Sequence, residues 1–285
     1  MKQIAVVGAG TMGAGIAQIA AEAGYEVRLR DVDEKFVAKG MEAIKRFVGR
    51  KLEKGKLTQK EYQDIVSRLQ GTTDLAAALK GAELVIEAIP EKMDLKKALF
   101  KEMASQCEEE TVLASNTSTL SITEIGSAAG HPERVVGTHF FNPVPLMQLV
   151  EVVRGGQTSE ATVKRATDFC EKVGKTPILV KDIPGFIVNR FLCLLYNEGA
   201  AQVQNRVASN EDIDKGLKLG ANHPMGILEL MDVVGVDVVY YALQSLWEST
   251  REERYRPCSL LKEMVESNRL GRKTGIGFYT YDKKA

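Results

Sequence analysis

The chain has 285 residues, 44% of them hydrophobic, which is enough for one large domain or for two modest domains with real cores. Basic and acidic residues number 38 each, so the formal net charge is zero and nothing global points to nucleic acid or to an anionic membrane. The four cysteines lie far apart and form no CxxC pair, which favours free thiols in a reducing, cytoplasmic compartment over disulfides or a metal site.

The N-terminal segment predicts a strand, a glycine turn and a helix. Residues 4–21 carry no charge, as in a signal peptide or a membrane span, but interrupting glycines argue against a targeting segment. Ile4–Val7 is a β-rich run, a GxGxxG pattern starts at Gly8, and an Ala-rich helix extends to about Ala23. Asp31 follows the next apolar run. The glycines therefore have the context of a dinucleotide-binding unit.

Each residue type in this unit has a physical role in binding NAD. Gly8 permits the tight turn, Gly10 lets the backbone approach a pyrophosphate, and Gly13 lets the helix pack closely on the strand. Asp31 is expected to accept hydrogen bonds from the adenine ribose and to repel a 2′-phosphate, which favours NAD over NADP. Two arginines in the preceding strand leave NADP possible. The alternative is a glycine-rich turn without a ligand.

Residues 33–70 predict two helices that protrude from this unit. Apolar residues recur at helical spacing from Phe36 to Val48, and Thr58 with Glu61 forms a capping-box pattern at the start of a second helix. Seven basic residues and one acidic residue lie between positions 45 and 60. Such a run is usually a solvated helical face. Its functional alternative is a binding site for an anionic group such as a phosphorylated adenosine.

Strands and helices then alternate again. The short apolar runs Leu84–Ile89 and Val112–Ala114 flank a charged helix from about residue 94 to residue 105. This order is typical of parallel strands that are joined by helical crossovers.

Polar residues follow both of these strands. Glu91 and Lys96 come after the first, and the cluster SNTS, which ends at Ser118, comes after the second. Ligands bind just beyond the carboxyl ends of such strands, so these residues are expected at the nicotinamide end of the cofactor. Ser118 is alternatively a helix cap, because Ser121 and Glu124 begin another capped helix.

The segment from residue 137 to residue 153 predicts two strands joined by a turn. His139 ends an apolar run, prolines break the chain, and Leu149–Val153 forms a second β-branched run. In such a return His139 and Glu151 face each other, so that the carboxylate orients the imidazole, and the pair is a candidate catalytic dyad. Alternatively, His139 is only a satisfied, partly buried side chain, and Glu151 faces solvent from an edge strand.

At the sequence DIPG, residues 182–185, the alternation of strands and helices gives way to a helical pattern, and we place a domain boundary there. The predicted fold class is α/β, with a Rossmann-like, mostly parallel sheet domain and a protruding helical hairpin over residues 1–183, followed by an all-α domain over residues 184–285. Asn189, in an apolar helix, either pairs with nearby backbone or reaches the cleft between the domains. Helices of the second domain are expected over about Phe186–Val203, Asn210–Leu219 and Met231–Trp247.

Seven motifs together carry a resemblance to a known family. The set GAGTMG, SNTS, HFFNPVP, LVEVV, PGFIVNR, KLGANHPMG and GRKTGIGFY, in this order, resembles the short-chain L-3-hydroxyacyl-CoA dehydrogenases, most closely the bacterial 3-hydroxybutyryl-CoA dehydrogenases. The resemblance spans essentially the whole chain. It implies NAD(P)-dependent interconversion of (S)-3-hydroxybutyryl-CoA and acetoacetyl-CoA, in fatty-acid or butyrate metabolism.

The resemblance also implies residue roles. His139 and Glu151 match the catalytic pair, and Ser118 and Asn189 match residues that hold the 3-oxygen of the substrate and order the site. On the helical hairpin, CoA is expected at Arg50, Lys51 and Lys54. The second domain matches a dimerisation domain, which implies a homodimer. The residues that match NAD-contacting positions are Gly8, Gly10, Thr11, Met12, Gly13, Asp31, Glu91, Lys96, Ser118, Asn142 and Lys273.

The sequence leaves three rival interpretations open. Tyr279 and Lys283 have the Tyr-x-x-x-Lys spacing that another dehydrogenase family, the short-chain dehydrogenases, uses catalytically. A relative on the same scaffold oxidises a sugar acid, and the basic hairpin argues against that substrate. A non-enzymatic NAD-binding protein is the third possibility, and the complete set of His139, Glu151, Ser118 and Asn189 argues against it.

Overall fold

Eight strands of the N-terminal part form one sheet in the computed structural model, which describes residues 1–281. The sheet order is β3-β2-β1-β4-β5-β6-β7-β8, and every neighbouring pair is parallel except β6 with β7. The predicted Rossmann-like, mostly parallel sheet is therefore confirmed. The strands are β1 (Gln3–Val7), β2 (Glu26–Arg30), β3 (Leu69–Thr72), β4 (Leu84–Glu87), β5 (Val112–Ser115), β6 (Val135–Phe140), β7 (Leu149–Arg154) and β8 (Thr176–Lys181).

Helices cover the sheet and bury two apolar clusters. Alternate residues of β1 enter different clusters: Ile4 and Val6 pack in one, and Ala5 and Val7 pack in the other. Strand alternation places these side chains on opposite faces, so β1 is apolar on both faces from Ile4 to Val7. The helices of this part are α1 (Thr11–Glu22), α2 (Glu34–Glu53), α3 (Gln59–Ser67), α4 (Leu75–Leu79), α5 (Met93–Gln106), α6 (Ile122–Ala129) and α7 (Glu160–Lys172), with a 3₁₀ turn at Pro132–Arg134.

The predicted helical hairpin consists of α2 and α3. Ile44 and Val48 of α2 are buried against the sheet unit, whereas Phe47 on the same helix is half exposed. Thr58 and Glu61 form the predicted capping box, in which each side chain bonds to the backbone N–H of the other residue. The cap satisfies amide groups that the first helical turn leaves without partners.

A second compact unit begins at Ile187, whereas the first unit comprises Met1–Phe186. The second unit is helical, as predicted, and its core includes Tyr196, Leu228 and Leu243. Its helices are α8 (Val188–Gln204), α9 (Asn210–Lys215), α10 (Ile227–Val234), α11 (Val236–Thr250) and α12 (Ser259–Glu266), with a π turn at Gly216–Gly220 and a 3₁₀ turn at Glu253–Tyr255.

The prediction of one helix from Met231 to Trp247 is wrong. Gly235 has a φ of +109°, a conformation that no helix contains, and it separates α10 from α11. The apolar spacing continues across this break, so the sequence pattern alone does not reveal it. Strand β3 and helix α4 were also not predicted. Among the described residues no helix is long and apolar enough to cross a membrane.

Candidate active site

The glycine turn leaves an open space at the start of α1. Gly8 has a φ of +108°, and a Cβ there would lie 2.5 Å from the carbonyl oxygen of Ala88. A Cβ on Gly13 would lie 1.7 Å from the carbonyl oxygen of Gly8, whereas one on Gly10 would meet nothing within 4 Å. Gly10 is the N-cap of α1, and no side chain there accepts a hydrogen bond from the first N–H groups of the helix. An uncapped helix start beside open space fits the pyrophosphate of NAD.

The carboxylate of Asp31 is hydrogen-bonded to the backbone of this turn. Its Oδ2 accepts a hydrogen bond from the backbone N–H of Ala9 at 2.7 Å, and its Oδ1 accepts one from Val32 N–H at 2.7 Å. The arginines of β2 are engaged elsewhere: Arg28 donates to the carbonyl groups of Ala77 and Lys80, and Arg30 Nε donates to Thr73 at 3.2 Å. The carboxylate of Asp31 is therefore held beside the glycine turn, and backbone oxygens hold the neighbouring cations.

His139 and Glu151 are paired residues of the antiparallel strands β6 and β7. Nδ1 of His139 lies 2.7 Å from Oε2 of Glu151, and the side chains are 7% and 0% exposed. The prediction that these residues face each other is confirmed. The alternative of a solvent-facing Glu151 is wrong, because β7 lies between β6 and β8 and is not an edge strand. With Nδ1–H donating to the carboxylate, Nε2 is the ring nitrogen that is left to exchange a proton.

Two aromatic rings lie beside His139. The ring centroid of Phe141 is 4.4 Å from that of His139, and the centroid of Phe186 is 5.7 Å away. Phe186 is 1% exposed and has a φ of +51°, which is rare for a bulky residue. Sequence reasoning did not select Phe186, because nothing in its local pattern signals a left-handed backbone. These rings limit the access of water to the imidazole.

The loop between β6 and β7 is held at both sides. The ammonium of Lys175, which is buried, donates to the carbonyl oxygens of Val144 at 2.6 Å and Met147 at 2.8 Å. On the other side, a Cβ on Gly15 of α1 would lie 2.8 Å from Cβ of Val144. Burial lowers the pKa of Lys175 below its usual value. Asn142, a predicted NAD contact, lies at the start of this loop.

A buried ion cluster lies at the carboxyl end of β4. The ammonium of Lys96 is 2.5 Å from Oε1 of Glu87 and 3.3 Å from Oε2 of Glu91, and the Lys96 and Glu87 side chains are 1% and 0% exposed. Burial raises the pKa of Glu87. The charge of Lys96 and the hydrogen bonds from Ser115 and Ile89 lower it by less, so the pKa lies above its usual value. The sequence predicted that Lys96 contacts NAD. In the structure two protein carboxylates engage its charge.

Glu91 holds the turn that carries Ser118. Its Oε1 accepts hydrogen bonds from the backbone N–H of Ser118 at 2.8 Å and of Thr119 at 3.1 Å, and from the hydroxyl of Thr117 at 2.6 Å. Desolvation raises the pKa of Glu91, but the charge of Lys96 and these hydrogen bonds outweigh it, so the pKa lies below its usual value.

Ser118 is not a helix cap. Ser121 caps α6 instead, by accepting a hydrogen bond from the N–H of Glu124 at 3.2 Å. The structure therefore brings together Glu91 and Ser118, which the sequence had placed at one end of the cofactor.

The basic residues of the hairpin have different environments. Lys51 forms an ion pair with Glu22 of α1 at 2.7 Å, so part of its charge is balanced within the protein. The guanidinium group of Arg50 lies 5.7 Å from the ring centroid of Phe47, in cation–π contact. Lys54 is exposed at the end of α2. Arg50 and Lys54 are both exposed to solvent.

Three predicted residues belong to the second unit. Asn189 lies in the first turn of α8, and Lys273 forms an ion pair with Asp237 at 2.5 Å. Tyr279 donates its hydroxyl to Asp214 at 2.8 Å, and burial together with this carboxylate raises the pKa of Tyr279. A phenol that is raised in pKa by a carboxylate is a poor catalytic acid or base, which argues against the Tyr-x-x-x-Lys interpretation. Lys283, its second member, lies outside the described residues.

The parallel sheet, its glycine turn and the acidic residue that follows β2 define a dinucleotide-binding protein of the dehydrogenase class. The chain belongs to the 3-hydroxyacyl-CoA dehydrogenase family: the model of the NAD binding domain matches residues 3–183, and the model of the C-terminal domain matches residues 185–281. It is an NAD-dependent oxidoreductase of that family.

Relatives match along their whole length. The chain is 45% identical over 284 residues to the probable 3-hydroxybutyryl-CoA dehydrogenase of Bacillus subtilis, covering 100% of this chain and 99% of that protein. It is 43% identical to the 3-hydroxybutyryl-CoA dehydrogenase of Clostridioides difficile, with 99% and 100% covered. The crystal structure of the (S)-3-hydroxybutyryl-CoA dehydrogenase of Ralstonia eutropha matches with a TM-score of 0.97 and 41% identity, covering 99% and 100% of the two chains.

Proposed function

We propose that the protein interconverts (S)-3-hydroxybutyryl-CoA and acetoacetyl-CoA with NAD as the cofactor. The observation that carries this proposal is the buried His139–Glu151 pair, with 2.7 Å between Nδ1 and Oε2, in a chain that matches 3-hydroxybutyryl-CoA dehydrogenases from end to end. The imidazole is oriented by a carboxylate and lies at the carboxyl end of a strand in a dinucleotide-binding sheet. This arrangement suits the oxidation of an alcohol, because the imidazole can accept the hydroxyl proton.

His139 is the general acid and base in this proposal. Its Nδ1–H donates to Glu151, which fixes the tautomer and leaves Nε2 free to accept the proton of the 3-hydroxyl group. Bound NAD supplies the acceptor for the hydride that leaves C3. Glu151 stabilises the imidazolium that forms, and in the reverse direction His139 returns the proton to the 3-oxygen.

Other residues orient the substrate and cofactor. Ser118 and Asn189 hold the 3-oxygen and order the site. Glu91 supports this arrangement, because it fixes the turn that carries Ser118 through hydrogen bonds of 2.8 Å and 3.1 Å to backbone N–H groups. The residues that would hold NAD are Gly8, Gly10, Thr11, Met12, Gly13, Asp31, Glu91, Lys96, Ser118, Asn142 and Lys273.

The helical hairpin is the proposed binding site for the adenosine phosphate of CoA. Between residues 45 and 60 it carries seven basic residues and one acidic residue. Lys54 is exposed, Arg50 flanks the half-exposed Phe47, and Lys51 shares its charge with Glu22. Basic side chains beside an aromatic ring suit a phosphorylated adenosine.

A homodimer formed through the second unit is also part of the proposal. Large apolar side chains of this unit are exposed, among them Phe191 at 67% and Tyr241 at 58%. Exposed apolar side chains are removed from water when another protein surface covers them, which favours association. Sedimentation velocity should give twice the mass of one chain, and Phe191→Asp should shift it towards the monomer.

The four free thiols support a cytoplasmic location.

The decisive assay mixes the purified protein with acetoacetyl-CoA and either NADH or NADPH, and follows the nicotinamide absorbance. Rapid oxidation of NADH with slow oxidation of NADPH is expected. No oxidation of either cofactor by folded protein would contradict the proposal and favour a sugar acid or a binding-only role.

A pair of substrates tests the hairpin. Lys54→Ala should raise the KM for acetoacetyl-CoA about tenfold, because a hydrogen bond to a charged group contributes about 1.5–3 kcal/mol. It should leave the KM for acetoacetyl-N-acetylcysteamine, which lacks the nucleotide, unchanged. Lys39→Ala, on the same helix but outside the basic run, is the matched control. Equal effects of Lys54→Ala on both thioesters would place CoA elsewhere.

A further inference from the structure

Glu87 is a buried carboxylate to which the proposed mechanism gives no role. It ends β4 and is 0% exposed. It accepts hydrogen bonds from the ammonium of Lys96 at 2.5 Å, the hydroxyl of Ser115 at 2.6 Å and the backbone N–H of Ile89 at 2.7 Å. Three donors fix this carboxylate from three sides. Burying a charge is costly unless the charge is paired and hydrogen-bonded, and here it is both.

Lys96 connects Glu87 to a second carboxylate. Its ammonium lies 3.3 Å from Oε2 of Glu91 and is 1% exposed, so protein groups rather than water surround it. The shorter distance, 2.5 Å, is the one to Glu87. The ammonium of Lys96 thus bridges the two carboxylates, with the closer contact to Glu87.

The other oxygen of Glu91 carries the turn with Ser118. Oε1 accepts hydrogen bonds from the N–H groups of Ser118 and Thr119 and from the hydroxyls of Thr117, Ser118 and Thr119, at distances between 2.6 Å and 3.2 Å. The two oxygens of Glu91 thus have separate partners, the buried cation on one side and the turn on the other. A rotation of this carboxylate would break the hydrogen bonds that hold the backbone of Ser118.

We propose that Glu87 is a positioning residue that places Ser118 for the reaction through Lys96 and Glu91. The proposal rests on the function proposed above, in which Ser118 holds the 3-oxygen of the substrate. Glu87 has no contact with substrate or cofactor in this arrangement. Its effect on the reaction is transmitted by the buried cation and by the carboxylate that the cation orients.

A double-mutant cycle of Glu87→Gln with Ser118→Ala tests this, with kcat/KM for acetoacetyl-CoA and the dissociation constant of NADH as readouts. Glu87→Gln keeps the shape of the side chain and removes the charge that holds Lys96. Alone, it should lower kcat/KM about 10- to 100-fold, the scale of a small displacement of a positioning group. In the Ser118→Ala background it should cost less than about threefold. An equal loss in both backgrounds would overturn the proposal.

Two further variants separate positioning from folding. Glu87→Asp keeps the charge but shortens its reach, so it should give an intermediate loss that also disappears in the Ser118→Ala background. Asp214→Asn is the matched control, because Asp214 is a buried carboxylate with three donors in the second unit. Its effect should multiply with that of Ser118→Ala. If Asp214→Asn shows the same coupling, the cycle reports general loosening and the proposal fails.

Failure of the proposed function gives a different result. A wild-type protein that does not turn over acetoacetyl-CoA refutes the proposed substrate, and the cycle is then evaluated on NADH binding alone. Coupling between Glu87 and Ser118 of at least about threefold in the NADH dissociation constant supports positioning. Independent effects on NADH binding would overturn it.

Discussion

Nδ1 of His139 lies 2.7 Å from Oε2 of Glu151, and the two residues are directly paired across the antiparallel strands β6 and β7. The orientation of the imidazole therefore depends on strand register rather than on a flexible loop. A shift of one residue would turn Glu151 to the opposite face of the sheet. Lys175 supports this register by fastening the loop that joins the two strands.

Glu151→Gln should lower kcat much more than it weakens cofactor binding. The amide can donate a hydrogen bond to Nδ1, which selects the tautomer whose Nε2 already carries a proton, so a loss of about 10²- to 10⁴-fold in kcat is expected. The dissociation constant of NADH should stay within about twofold. Steady-state kinetics and NADH fluorescence measure the two quantities. Normal turnover with weak NADH binding would make Glu151 a structural residue only.

Gly10→Ala should impair cofactor binding, whereas Gly13→Ala should impair folding. A Cβ on Gly10 meets nothing within 4 Å, so this variant should keep its melting temperature but lose affinity for NADH. A Cβ on Gly13 would lie 1.7 Å from the carbonyl oxygen of Gly8, and we expect a destabilisation of about 1–3 kcal/mol or more. Thermal melts with NADH titrations test this. Wild-type affinity in Gly10→Ala would exclude the turn as the pyrophosphate site.

Asp31→Ser should shift cofactor preference towards NADPH. The substitution removes the negative charge that repels a 2′-phosphate and the acceptor for the ribose hydroxyls. Since a hydrogen bond to a charged group contributes about 1.5–3 kcal/mol, the ratio of kcat/KM for NADH over NADPH should fall about tenfold or more. The melting temperature should fall slightly, because Asp31 also binds the N–H of Ala9. An unchanged ratio would show that Asp31 has no part in cofactor discrimination.

The four cysteines should be unreactive in the folded protein. Burial raises the pKa of Cys107 to about 11 and the pKa of Cys170 and of Cys193 to about 12, and it also raises the pKa of Cys258. At pH 8 the thiolate fraction of each is then small, and the thiolate is the reactive form. Mass spectrometry after brief iodoacetamide treatment should find unmodified native protein and four alkylated sites in denaturant. Rapid labelling of a native cysteine would contradict this.

Local sequence signals were sufficient where the chemistry depends on neighbours in the chain. The glycine turn and Asp31 belong to one strand–turn–helix unit with fixed spacing. His139 and Glu151 were found because one short loop joins their strands, so that the pairing follows from the turn signals. The Thr58 capping box is equally local.

The sequence did not predict which side chains pair with each other when tertiary packing brings them together. Glu87 lies in an apolar run, where an acidic residue is itself a signal that a buried charge needs a partner, but the run does not say that Lys96 provides it. Lys175 is 31 positions from Val144, whose carbonyl oxygen it binds. The helix break at Gly235 was missed because a single glycine is also tolerated within a helix, and only tertiary packing decides between the two cases.

The measurement that tests the central claim most directly is turnover of His139→Gln with acetoacetyl-CoA and NADH, with NADH binding measured on the same protein. Glutamine has no group that can take and return the proton of the 3-hydroxyl, so we expect kcat to fall by about 10²- to 10⁴-fold. NADH binding should stay nearly normal, because the glycine turn and Asp31 are untouched. Turnover at the wild-type rate would contradict the assignment of His139 as the catalytic acid and base.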